Sequence, residues 1–494
     1  MKIIYKWNWL ALGVVLLSAC TEKVVSPKQI DAYPSIYPDY TEVTIPATIA
    51  PMNFAVVNGD FDKIDVVVKG TKGQELHVQG KEVSFDEDDW HRLVAENKGD
   101  SLMFSVSVKH DGEWSRYRSF PMYISNYSID YGVAYRLIAP GYEVYSKMGI
   151  YQRNLSNFEE TAIVENTLVP GMCVNCHSFN KTNPDKMSMH IRGNNGGTLM
   201  QLGNEMELLD TKTDSTISAC VYPYWHPSGK YIAYSVNNTR QGFHAVKEER
   251  IEVMDNGSDI VIYHPATHQL LTSPILMSKQ AFETFPAFSP DGKTLFFCSA
   301  EAKQMPQDYK EVKYSLCSIS FDEETGRLGE KVDTLVSAPR IGKSVSFPRP
   351  SYDGRYIMFT LSDYGNFSIW HKEADLWLLD LKTGNYRCLD EVNSKDTESF
   401  HNWSSNSHWF VFSSRRDNGL YTYLYFACIG DDGKITKPFM LPQKDPLVYY
   451  DRSVYSYNVP DFISRPVQLD HATLRDKIVR PDRIKLIPKD TTVP

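Results

Sequence analysis

Thr284-Phe-Pro-Ala-Phe-Ser-Pro-Asp-Gly-Lys-Thr-Leu-Phe-Phe-Cys-Ser299 decides the fold. Two apolar runs flank a Ser-Pro-Asp-Gly turn, and Gly292 supplies the positive φ that a tight bend requires, so the stretch reads as a hairpin. The same shape is written as Tyr222-Pro-Tyr-Trp-His-Pro-Ser-Gly-Lys-Tyr-Ile-Ala-Tyr-Ser235 and as Ser346-Phe-Pro-Arg-Pro-Ser-Tyr-Asp-Gly-Arg-Tyr-Ile-Met-Phe-Thr360. A degenerate copy is Ser399-Phe-His-Asn-Trp-Ser-Ser-Asn-Ser-His-Trp-Phe-Val-Phe-Ser413. The turn positions Gly229, Gly292, Gly354 and Ser407 lie 63, 62 and 53 residues apart. Periods of that length mean stacked units. Outer strands follow the hairpins, for instance Asp259 to His264 and Asp375 to Leu381. Four strands that cannot bury their faces alone arrange radially, as propeller blades.

This aromatic-x-x-Ser-Pro-Asp-Gly-Lys-x-aromatic repeat resembles that of the TolB-like β-propeller family, over about half of the chain. The resemblance implies an exported propeller serving as a binding platform. It implies nothing about catalysis, because the fold hosts many tasks. Ser407 replaces the turn glycine in the fourth copy, which puts the regular geometry of the last blade in question.

The predicted class is all-β: about six four-stranded blades, with five or seven as neighbouring counts, preceded by a small antiparallel β-sandwich-like domain. Val133 to Glu165 reads as outer strands of a further blade closed by C-terminal strands. The predicted segments are a lipoprotein signal peptide (1–19), a lipidated tether (20–40), an N-terminal β domain (41–130), the propeller (131–470) with a haem-binding insertion at 170–195, and a C-terminal arm (471–494). The carboxylates of Asp86-Glu87-Asp88-Asp89 gather before Trp90 as at a helix start, where they complement the dipole.

Of 494 residues, 42% are hydrophobic and 23% charged, which is too polar for a bilayer-embedded chain. The net charge of −9 argues against nucleic acid as a partner. Lys2 and Lys6 precede an apolar run from Leu10 to Leu17, and then comes Leu17-Ser18-Ala19-Cys20. This resembles a bacterial lipoprotein signal, with Cys20 as the lipidated residue. The implied location is the cell envelope, with the membrane engaged through that lipid.

Cys173-Val174-Asn175-Cys176-His177 is the c-type haem attachment pattern. Its spacing lets Cys173 and Cys176 form thioethers with one covalent haem c while His177 ligates iron. Laying Cys176 over Trp225 places Met187 to Ile191 over Tyr231 to Ser235, which leaves five extra residues. They would enlarge the first hairpin turn through Asn180 to Asp185, with the haem in that loop. His190 is the favoured second metal ligand, ahead of Met187, Met189 and Met200, and Arg192 could pair a propionate. A Cys173–Cys176 disulfide is the alternative. A zinc site lacks a second Cys-x-x-Cys.

No nucleophile elbow, phosphate loop or His-Glu-x-x-His motif is present, and His226, His264, His268, His401 and His408 read as turn or hairpin residues. Two functions follow. One is a lipid-anchored c-type cytochrome passing single electrons to a protein or small redox partner. The other is a non-catalytic envelope propeller that binds protein or polysaccharide.

Overall fold

The computed structural model describes residues 22–140, 147–244 and 251–491. The signal peptide and Cys20 lie outside the described residues. Among these, six four-stranded antiparallel sheets form the blades of a propeller. The inner strands of blades 2 to 6 are Cys173–Asn180, Cys220–Trp225, Ala281–Phe288, Ser344–Pro350 and Glu398–Trp403. Blade 1 takes three strands from Gly132 to Glu165, and its inner strand is the C-terminal Ser456–Ile463, paired antiparallel with Gly132–Ile138. Both ends of the propeller sequence therefore share one sheet, which closes the ring.

The repeat turns explain themselves chemically. Ser289 Oγ donates to Asp291 at 2.5 Å, and the Lys293 amide donates to the same carboxylate at 3.0 Å. Ser351 with Asp353 and Ser404 with Asn406 repeat that bond at 2.5 and 2.7 Å. Gly292 and Gly354 sit at φ 74°, and Ser407 adopts φ 63° without glycine. The degenerate copy thus makes the same turn, and Ser407 Oγ accepts the Asp353 amide of the neighbouring blade at 3.0 Å.

The first hairpin of blade 2 differs from the reading above. Asn180 pairs with Asn183, so its turn is only Lys181 and Thr182, both at positive φ. The stretch 170–195 is the regular inner hairpin of a blade, not an insertion, and it offers no enlarged loop. The apparent surplus came from laying the motif three residues out of register.

The N-terminal domain holds a mixed seven-stranded sheet, a two-stranded ladder of Ile36–Tyr37 with Ala55–Val56, and the helix Glu87–Glu96, which buries Trp90, Leu93 and Val94. Asp86 caps that helix, accepting the amides of Asp88 and Asp89 at 3.0 and 3.1 Å. The segment read as a tether is folded from Glu22 onward: Glu22 pairs with Lys63 at 3.1 Å, and Lys28–Ile30 joins the sheet beside Glu113–Tyr117. The domain docks on blade 6, where Tyr40 Oη donates to the Met440 carbonyl at 3.2 Å and Lys437 pairs with Asp39 at 2.7 Å. At the other terminus, Ile484–Lys485 and Ile487–Asp490 add parallel fifth strands to blades 2 and 3.

In blade 3 the strands Ile232–Phe243 and Ile251–His264 overshoot the sheet and reach blade 5. Glu252 accepts Tyr364 Oη at 2.8 Å and His371 Nε2 at 3.3 Å, and Asp255 accepts Asn366 Nδ2 at 2.6 Å. This strap reaches blade 5 beside Tyr309 and Tyr314 of blade 4, at the strand ends away from the inner hairpin turns.

Candidate functional site

Each inner strand breaks its ladder at a bulge. One residue per bulge has φ between 47° and 52°: Cys176, Tyr222, Phe285, Phe347, Phe400 and Val459. Four of these are aromatic, and their rings touch in sequence at centroid distances of 4.7, 4.1 and 4.9 Å. They form a plug across the channel, completed by Val459 and Cys176.

The haem motif is therefore one of six equivalent strands. Cys176 occupies the place of Tyr222, and Phe179 that of Trp225. The residue after the bulge is proline in four strands (Pro223, Pro286, Pro348, Pro460) and histidine in two, His177 and His401. His401, on an inner strand and not in a turn, donates through Nε2 to the Met358 carbonyl of the preceding blade at 2.9 Å. His177 leans on the Ala134 main chain, the matching position of blade 1. Burial pushes His177 down to about 4, with the Arg136 charge adding to the fall, and pushes His401 down to about 3. Both are neutral spacers between blades at pH 7.

His190 faces the other way. Its Nδ1 lies 3.4 Å from Thr198 Oγ1, and Ser188, two residues back on the same face, bonds Tyr234 of blade 3 at 2.7 Å. His177 pairs across the ladder with Met189, whose side chain joins Met187 in the core between blades 1 and 2. His177 and His190 thus project from opposite faces of one sheet and cannot flank one iron. Met187 and Met189 lie beside His177 instead of facing it, and Met200 faces blade 3. Arg192 is exposed at the strand end, paired with half-buried Cys173. His177 borders the seam of blades 1 and 2, where Ala134, Ile150, Val174 and Met189 are fully buried, and with Cys176 it also borders a funnel on the hairpin-turn side of the plug. His177 and His190, as folded, do not fit a haem held between two histidines. Two features remain open to a ligand: neither His177 ring nitrogen completes a hydrogen bond of normal geometry, and Cys173 and Cys176 are free thiols.

The groups that do converge lie on the hairpin-turn side of the plug. Two residues after each bulge stand Ser178, Tyr224, Ala287, Arg349, Asn402 and Asp461. All except Ala287 line a funnel of about 920 Å³, counting its open mouth, whose floor includes the plug residues Tyr222, Phe347 and Phe400. Asp461 accepts the Phe179 amide at 3.1 Å and Asn402 Nδ2 at 2.8 Å, and burial pushes its carboxyl up to about 7. Arg349 packs over the Tyr224 ring at 5.3 Å and donates Nη1 to its neighbour's carbonyl, Pro348, at 3.1 Å. Among the described residues it has no carboxylate within 4.0 Å.

The sequence reading missed this ring, although its signal is present. Once the repeats are aligned on the bulge, their flanking positions hold to proline, histidine and aromatic types. The position two residues on is different in every copy.

No protein-family model matches the chain, and no curated protein matches it. Solved structures match parts of it. They include an oligogalacturonate lyase in complex with manganese, at 11% identity over 63% of this chain and 74% of that one, with a TM-score of 0.34. The β-propeller domain of the trilobed protease from Pyrococcus furiosus matches at 9% identity over 68% of this chain and 81% of that domain, TM-score 0.32. Prolyl oligopeptidase B from Galerina marginata matches at 10% identity over 68% of this chain, which spans 42% of that enzyme, TM-score 0.35.

Proposed function

We propose that this protein is a lipid-anchored propeller of the bacterial cell envelope that binds a ligand in the channel mouth on the hairpin-turn side. One observation carries the reading: six equivalent strands repeat their structural residues yet carry a different side chain two residues past the bulge, and five of those six side chains line the funnel. Divergence at one position inside a conserved scaffold is how a symmetric fold makes an asymmetric pocket. The N-terminal Lys2 to Cys20 pattern supports the anchor.

A second reading rests on His177 and the two free thiols, as attachment points for a covalent haem c and hence single-electron transfer. It requires the porphyrin to sit where Cys176 and His177 border the funnel, or blades 1 and 2 to open around it. The test is to produce the protein in a host with a c-type maturation system, measure its intact mass, and screen small molecules against it by saturation-transfer NMR. The binding reading expects polypeptide plus lipid mass, and hits that vanish in a Tyr224→Ala, Asn402→Ala variant that still melts cooperatively. A mass gain of one porphyrin, lost in Cys176→Ala, would move the conclusion to the cytochrome. Hits indifferent to the double variant would remove the channel site.

A further inference from the structure

We infer that the funnel selects an anionic ligand carrying a flat ring, with Arg349 as the anchor for its carboxylate or phosphate and Tyr224 as one stacking wall. The inference rests on the binding reading above and adds the chemical class.

Arg349 is the ring member whose chemistry is unspent. An arginine guanidinium carries five N–H donors in a planar fork. Here one hydrogen bond to the Pro348 carbonyl is formed among the described residues, and the guanidinium borders the funnel. Burial pulls its pKa below the usual arginine value, outweighing the opposite pull of Tyr224 and Asp461. The nearest acidic partner in the ring does not supply one. Asp461 has one oxygen taken by the Phe179 amide and the other by Asn402, and it lies outside ion-pair distance of Arg349. A planar anion would complete the fork in a bidentate contact.

The walls set the rest of the ligand. Trp225, Tyr352 and Phe288 line the funnel together with Tyr224, whose ring lies under the Arg349 guanidinium, and Tyr222, Phe347 and Phe400 of the plug form its floor. A ligand therefore enters from the hairpin-turn mouth and stops at the plug. A flat group fits between aromatic faces, whereas a long polar chain would leave its hydrogen bonds unmade there. Lys181 at the mouth adds a second positive charge. His401, held near 3 by burial, is neutral, and the Tyr224 phenol, pushed up to about 12, stays protonated. His177, also bordering the funnel, is held near 4 by burial. Among the described funnel residues Asp461, raised by burial and by the nearby Asp130 charge, is then the group beside Arg349 whose charge changes in the neutral range. Its carboxyl is neutral below about 7, so anion affinity is expected to rise as pH falls from 8 to 6.

The test titrates the full-length protein with benzoate and with its neutral analogue benzamide by isothermal calorimetry, at pH 6 and 8, alongside Arg349→Gln. The expected result is saturable benzoate binding at least about 10-fold tighter than benzamide, as one charge-assisted bond pair gives. That preference should grow at pH 6 and vanish in Arg349→Gln. A melting curve controls for folding of the variant. Equal binding of both probes to the wild type overturns the anionic class while leaving the channel site in place. Failure of both to bind overturns the class and leaves the channel reading to the small-molecule screen and the Tyr224→Ala, Asn402→Ala variant. A preference that survives in Arg349→Gln removes Arg349 as the anchor.

Discussion

Glu252→Gln should loosen the strap from blade 5, with a cost that depends on pH. His371 is buried at 5% side-chain exposure between Glu252, 3.3 Å away, and Glu373, 3.6 Å away. Burial alone would push its pKa down, but the bonds to Glu252 and Glu373 outweigh it and raise the value from 6.5 to about 9. A shift of that size corresponds to about 3 kcal/mol at 1.36 kcal/mol for each pKa unit. The folded-state value is raised, so this stabilisation is fully present below 6.5 and is lost as pH rises through about 9. Glu373, lowered to about 2 because its bonds to His371 and the Asp363 amide outweigh burial, keeps its charge through this window. Gln preserves the shape of Glu252 and its acceptor for Tyr364 Oη, but it removes the nearer of the two charges. About half of the 3 kcal/mol, roughly 1.5–2 kcal/mol, should disappear at pH 6. Chemical denaturation of wild type and variant at pH 6, 8 and 10 measures this. The midpoints should differ most at pH 6 and converge by pH 10. A gap that is absent at pH 6, or constant across the series, would refute the assignment of a charged His371 to this cluster.

Three further substitutions probe the frame of the molecule. His177→Pro should shift the melting midpoint by no more than about 2 °C, because four sister strands carry proline there, whereas His190→Pro, in a central strand, should cost about 3 kcal/mol or more. Comparable damage from both would mean that His177 has a task its sisters lack. Gly292→Ala should destabilise well beyond Gly354→Ala: both sit at φ 74°, but a methyl group at Gly292 meets the His226 ring and at Gly354 meets open space. Strain alone is worth about 1 kcal/mol at each, so denaturation midpoints read the excess as the clash. Cys20→Ala should release the protein from the membrane to the soluble fraction in cell fractionation, and a wild type that is itself soluble would end the lipid-anchor proposal.

The propeller was legible because its repeat is written in turn chemistry, and turn chemistry is local. Ser289, Asp291 and Gly292 close their hairpin with bonds spanning two residues, so composition and geometry coincide in sequence. Even the damaged copy could be counted, since Ser404 and Asn406 keep the bond where Ser407 replaces glycine. What could not be read locally is anything set by a neighbouring blade. The strap from blade 3 to blade 5 joins residues more than a hundred positions apart, Glu252 with Tyr364 and His371, and no pattern within either segment announces the other.

The five residues from Cys173 to His177 show how the two kinds of signal compete. As a local string they spell an attachment site; as part of the repeat they spell an inner strand whose bulge falls on Cys176 and whose next residue spaces two blades. The choice between the two frames turns on Phe179. In register with Trp225, Phe288, Trp403 and Phe462, it fixes Cys176 at the bulge and leaves a two-residue turn behind it. The strand alternation that follows then sends His177 towards blade 1 and His190 towards blade 3, on opposite sides of the sheet. A ligand pair chosen by distance along the chain becomes impossible once that register is known. The same register, read two residues past the bulge instead of one, leads to Arg349 and Asp461 facing one funnel from blades 5 and 1. In a symmetric fold the informative residue is the one that breaks the repeat towards the axis, because the scaffold has no structural use for the difference.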